Sequence, residues 1–197
     1  AAPAYAVGKI VGEADTELAT LCDGVRYMST ATVLLAYPEA AVRQPKTGTG
    51  FVVPRVQRDT RLMAGSWVTS KWAGRAPDGQ VLVRGFLGGA RDPNVLERDD
   101  ATLAAEAHET FARLLDIDSS PSLTRVYRWP RAMAQHEIGH HARLAAIEQR
   151  LARHPGLFVT GAGFRVSGVP DCISDGRATA QAVLAWHTAP GPADDGG

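Results

Sequence analysis

The chain is 197 residues long, 45% hydrophobic and 21% charged, with 21 basic against 21 acidic side chains, so it can bury a core as one domain or two small ones. The balance excludes the basic surplus with which nucleic-acid binders grip phosphates, and the longest apolar run, Ala31-Thr32-Val33-Leu34-Leu35-Ala36-Tyr37, falls far short of the roughly 20 residues of a membrane-spanning helix. Cys22 and Cys172 stand without CxxC or CxxH spacing, which supports neither a disulfide framework nor a zinc knuckle and makes a reducing cytoplasm the default compartment.

The amino end, Ala1-Ala2-Pro3, has no initiator Met, basic n-region or apolar h-region and does not read as a signal peptide. Residues 13–21 suit a short helix, and the β-branched run 29–37 reads as a strand stopped at Pro38. Turn formers fill 45–50. Three strand-like runs follow, 51–54, 60–68 and 80–87, divided by Gly, Pro and Asp and expected to pair as an antiparallel sheet. Asp99 and Asp100 then precede a helix in which Leu103, Ala107, Phe111, Leu114 and Leu115 recur at helical spacing. Residues 123–129 read as a strand, 143–153 as a helix with Leu144, Ile147 and Leu151 inward, and 157–160 as a short buried strand. Three glycines, Gly161, Gly163 and Gly168, lead from it into a helix over 172–186. The free N–H groups and positive dipole end of that helix suit an anion, and the glycines would let a ligand approach the backbone; a plain strand-to-helix turn explains the pattern equally well. From Ala189 onward the chain reads as a frayed tail.

No GxGxxG fingerprint is present: Gly161-Ala162-Gly163 leads to Val166, and Gly48-Thr49-Gly50 to Val53, where the third glycine would stand. An autonomous dinucleotide-binding domain is therefore not encoded. His136-Glu137-Ile138-Gly139-His140 matches HExxH, in which histidines one helical turn apart hold zinc and the glutamate activates water. The extended pattern fails, however, with Arg143 and Ala146 where glycine and a third ligand belong. His108, His154 and His187 stand alone and read as solvated side chains, and no GxSxG elbow occurs.

Taken together, Gly50-Phe51-Val52-Val53-Pro54, Ser66-Trp67-Val68-Thr69-Ser70-Lys71-Trp72, Arg75-Ala76-Pro77 and Phe86-Leu87-Gly88-Gly89 resemble the oxygen-dependent protoporphyrinogen and coproporphyrinogen oxidases. Arg128-Trp129 with Ala132, Gly139-His140 with Arg143, Pro155-Gly156-Leu157 and Gly168-Val169-Pro170-Asp171-Cys172-Ile173 before Gly176 continue the pattern over essentially the whole chain. Two positions depart from it: Ala134 stands for the usual proline and His136 for the usual aromatic. The resemblance makes the HExxH match accidental.

It implies an α/β (α+β) carboxy-terminal portion of an FAD-linked amine-oxidase-like fold: a mixed or antiparallel substrate-domain sheet plus the last strand and helix of the FAD domain. The implied division is 1–125 for substrate, 126–187 for the FAD domain and 188–197 for a disordered tail, with the GxGxxG half preceding Ala1. The implied function is an oxidoreductase of haem (porphyrin) biosynthesis that holds FAD noncovalently and oxidises a porphyrinogen with O2, releasing hydrogen peroxide. Trp129, Ala162, Ser167, Gly168 and Val169 would contact the flavin, Val52, Trp67 and Phe86 would wall the macrocycle pocket, and no side-chain base is assigned. Arginine outnumbers lysine 18 to 3, a bias of high-GC Gram-positive bacteria that favours coproporphyrinogen III, with protoporphyrinogen IX the alternative and a zinc peptidase the distant one. The chain by itself is expected to be inactive. A cytoplasmic location is expected, while peripheral membrane contact and homo-oligomerisation stay open.

Overall fold

The computed structural model describes residues 1–44 and 48–188. Their elements are α1 (Ala4–Val11), α2 (Thr16–Asp23), β1 (Arg26–Pro38), β2 (Gly50–Val52), β3 (Leu62–Trp67), α3 (Val68–Lys71), β4 (Gln80–Gly88), α4 (Asp100–Leu115), β5 (Leu123–Gln135), α5 (His140–Leu151) and α6 (Val169–Thr188). The class is mixed α/β, with one five-stranded sheet ordered β2-β3-β4-β1-β5 and antiparallel in its β2–β3, β3–β4 and β4–β1 pairs. The expected tail lies outside the described residues except for Thr188, which ends α6.

Two compact units divide the chain at 27/28 and 133/134. Residues 1–27 join the carboxy-terminal segment because Ala4, Val7, Val11, Leu18, Cys22 and Val25 pack in one core with Ile147, Val159 and Phe164.

In the unit 28–133, alternation along β4 turns Val81, Val83, Gly85 and Leu87 inward. α4 covers that face with Leu103, Ala107, Phe111 and Leu115. Its start is set by Asp99, whose carboxylate accepts the Thr102 N–H at 2.7 Å, and its end by Asp116 in the left-handed region at φ 48°. Phe111 approaches a cross-strand glycine pair, Gly65 opposite Gly85. A Cβ at Gly65 would stand 2.3 Å from Phe51 and 3.0 Å from Phe111, and one at Gly85 would stand 3.3 Å from Phe111. Midway along α4, the fully buried Tyr37 places its hydroxyl 2.8 Å from His108 Nδ1, so His108 is a core partner rather than the expected solvated residue. β5 continues through Pro130 to Gln135. It is an edge strand, where a missing N–H costs no ladder bond.

In the other unit, Asp15 caps α2 by accepting the Leu18 N–H at 2.8 Å. The same carboxylate accepts from Arg150 Nε at 3.0 Å and meets His154 Nε2 at 2.7 Å. His154, expected to be solvated, thus ties the end of α5 to α2. The expected strand 157–160 is irregular instead. A strand needs a neighbour for its ladder, and the pairing found there is Ala2 N–H to Thr160 O at 3.4 Å. α1 escaped sequence reading because its eight residues start after Pro3 without a capping side chain.

Two predictions follow from the two cores. Phe111→Ala should destabilise the protein by about 3–5 kcal/mol and Gly65→Ala by about 1–3 kcal/mol, read from urea unfolding. The Leu18 N–H bond, reinforced by His154 and Arg150 and opposed by burial, holds the Asp15 carboxyl well below the usual carboxylate range. The folded state therefore keeps Asp15 ionised where the unfolded chain, with an aspartate near pKa ~3.9, takes up a proton. Its stabilisation is complete above that pH and is lost as pH falls further. Asp15→Asn should flatten the acid limb of a stability-against-pH curve.

Candidate functional site

On the sheet's second face α4 is absent and only the short α3 borders one side, and alternation delivers a defined row to the face. β-Register sets Phe86 beside Ala64 on one side and Thr32 on the other, and Ala64 beside Val52. The Trp129 indole N–H donates to Thr32 Oγ1 at 3.1 Å, so the row Val52, Ala64, Phe86, Thr32, Trp129 crosses all five strands. Val52 is 79% exposed and Trp129 49%, while Ala64, Phe86 and Thr32 are half-buried. Next to the row, the Arg84 guanidinium lies 5.1 Å from the Phe86 ring centre and 5.8 Å from that of Trp72. A broad, mostly apolar surface with one cation at its side suits a flat ring ligand.

Of the expected pocket walls, Val52 and Phe86 share this face; Trp67 does not. It pairs opposite Val83 and is 7% exposed, its ring centre 5.5 Å from Phe51 and 5.8 Å from Phe111. A bulge between Leu62 and Ala64 is the reason: an extra residue reverses side-chain parity, so Leu62 and Trp67 both face the core. Ala64, Thr32 and Arg84 went unrecognised, since only strand pairing and alternation bring them beside Phe86.

The expected flavin contacts divide between units: Trp129 belongs to 28–133, whereas Ala162, Ser167, Gly168 and Val169 belong to the other. In the latter, Ala162, Ser167 and Val169 are exposed and Gly168 is half-buried. Two histidines shape this loop. His136 Nε2 lies 3.0 Å from Ala162 O and His140 Nε2 2.7 Å from Phe164 O, and their rings stack at 4.1 Å. A carbonyl only accepts, so each Nε2 carries the proton.

This arrangement differs from a helical HExxH site. Gly139, at φ 88°, precedes α5, so His136 lies outside the helix, and Glu137 pairs with Arg26 at 3.0 Å. Among the described residues no group of three or more His, Cys, Asp or Glu is placed to hold a metal. At the start of α6, Cys172 N–H donates to Gly168 O at 2.8 Å, and a Cβ on Gly168 would stand 2.7 Å from Asp171 Oδ2. A carboxylate already occupies the positive end of the helix, which disfavours a phosphate there and leaves small side chains and backbone for a neutral polar ring edge.

A profile of the flavin containing amine oxidoreductases matches residues 1–184. The chain is 35% identical over 80% of its length to a coproporphyrinogen III oxidase of Bacillus subtilis, covering 34% of that protein, and 34% identical over 80% to one of Staphylococcus aureus, again covering 34%. It is 28% identical over 92% of its length to a chloroplastic protoporphyrinogen oxidase of Spinacia oleracea, covering 34% of it. The chain thus spans about a third of the length of these relatives. A crystal structure from Exiguobacterium sp. 255-15, provisionally assigned as a protoporphyrinogen oxidase, shares the fold at TM-score 0.75 and 22% identity, over 92% of this chain and 39% of that one. No helix is long and apolar enough to cross a membrane among the described residues.

The two faces should respond differently to truncation. Trp67→Ala should cost about 3–5 kcal/mol as a core deletion, and Phe86→Ala less than half of that, compared by chemical denaturation.

Proposed function

The chain belongs to the family of flavin containing amine oxidoreductases, and from that premise we propose that it is the carboxy-terminal part of an FAD-dependent porphyrinogen oxidase acting on coproporphyrinogen III in haem biosynthesis. The observation that carries this reading is the row Val52, Ala64, Phe86, Thr32, Trp129, a solvent-facing surface five strands wide. A tetrapyrrole is flat and apolar at its centre, and such a surface binds it by excluding water from both.

FAD, when bound, supplies the redox chemistry, accepting the substrate's hydrogens and passing electrons to O2 to give hydrogen peroxide. The chain's part is placement. Ala162, Ser167, Gly168 and Val169 would meet the ring end of the cofactor, for which their small exposed side chains are suited, while its phosphates would lie away from Asp171. Val52 and Phe86 would lie against the macrocycle, and Trp129, anchored through Thr32, would present its indole ring toward the reacting partners. No side chain is assigned as a base; protons would leave through the macrocycle nitrogens.

Coproporphyrinogen III is favoured over protoporphyrinogen IX by the 34–35% identity to the oxidases named for it against 22–28% for those named for the other. The reading also makes the 197-residue chain inactive alone, since it lacks a GxGxxG loop, and makes the enzyme cytoplasmic.

Anaerobically prepared coproporphyrinogen III and protoporphyrinogen IX should be offered to the full-length flavin-loaded protein with peroxide release recorded. Faster turnover of coproporphyrinogen III is expected, with Phe86→Ala raising KM about tenfold. A full-length protein that retains no flavin, or that oxidises protoporphyrinogen IX faster, would refute the reading.

A further inference from the structure

Beside the Phe86 row a cavity of about 330 Å³ is lined by Leu34, Val68, Trp72, Arg75, Leu82 and Arg84. We propose that this cavity is a carboxylate subsite in which Arg84 and Arg75 hold a propionate of a tetrapyrrole lying on the open face; the inference rests on the porphyrinogen reading above.

The cavity's electrostatics carry the argument. Arg84 projects on the same face as Phe86, two residues along β4, and its guanidinium is held between the Phe86 and Trp72 rings. Its Nε is buried and has no hydrogen-bond partner. Buried donors almost always have one, and a carboxylate oxygen would complete this fork. Neither Arg84 nor Arg75 forms an ion pair with any described carboxylate, Asp78 of the same loop included. A third cation, Lys71 Nζ, sits 4.4 Å over the Trp72 ring. Two positive groups, Arg84 and Arg75, thus line an apolar cavity whose lining contains no acid.

The neighbouring row tells which acid fits. An inorganic anion would gain nothing from Leu34, Leu82 and Phe86, whereas a flat ligand with short acidic arms would bury its ring on the row and an arm in the cavity. Coproporphyrinogen III carries a propionate on every pyrrole ring, while protoporphyrinogen IX has vinyl groups in place of some. Arginine suits such an arm because its planar fork meets both carboxylate oxygens.

The test compares binding of coproporphyrin III, the oxidised and air-stable form of the substrate, with binding of its tetramethyl ester, which has the same ring without the charges. Both are titrated into the full-length flavin-loaded protein, following porphyrin fluorescence. The wild type should bind the free acid about tenfold or more tightly than the ester, Arg84→Leu and Arg75→Leu should each narrow that ratio, and the double variant should bring it close to unity without weakening ester binding. A free-acid preference that survives in the double variant, or a wild type that binds acid and ester equally, overturns the subsite while leaving the porphyrinogen reading intact. A wild type that binds neither porphyrin overturns both. Arg75 lies on an exposed loop, so Arg75→Leu decides alone if Arg84→Leu fails to fold.

Discussion

The contact of Phe111 with the Gly65–Gly85 pair governs what the sheet can present. A ring from α4 reaches the strands only because two opposed residues lack a Cβ, and that approach settles which face is core. Once Val83, Leu87, Trp67 and Phe51 are committed to α4, strict alternation sends Ala64, Arg84, Phe86 and Thr32 to the other side. The candidate site is therefore a by-product of core packing: its residues lie together because their neighbours are buried.

The second unit follows a different logic, in which polar contacts hold short helices that would be marginal alone. Asp15 joins α2 to Arg150 and His154 at the end of α5, and the stacked His136 and His140 hold two carbonyls of the 162–164 segment. These contacts shape the loop that precedes α6 using side chains whose spacing mimics a zinc motif. The same residues that imitate HExxH in sequence serve as backbone clamps in the fold, since a histidine Nε2 can hold a proton for a carbonyl as readily as it can ligate a metal.

The open face combines two properties that seldom coincide without a ligand: exposed apolar side chains and arginines without acidic partners. Exposed apolar surface of this breadth costs solubility, and an unmatched guanidinium beside it leaves donors unused. The proposed tetrapyrrole with peripheral acids would answer both conditions at once.

Several elements were legible from the residues alone. The β-branched run of β1, the Asp99 cap and apolar repeat of α4, and the strands β3 and β4 appear where local chemistry points, because each carries its own local pattern. The resemblance likewise carried the family, and Val52 and Phe86, which it assigned to one pocket wall, share one face of the sheet. What the residues could not reveal was parity and partnership. A bulge between Leu62 and Ala64 turned Trp67 to the core, 157–160 stayed irregular for want of a strand to pair with, and His108 and His154 found buried partners many residues away. Sequence by itself thus determined the elements and the family, which depend on local propensity and motif. Only the tertiary structure decided which face each side chain joins and which charges stay unpaired, because both depend on register and long-range contacts that no local pattern encodes.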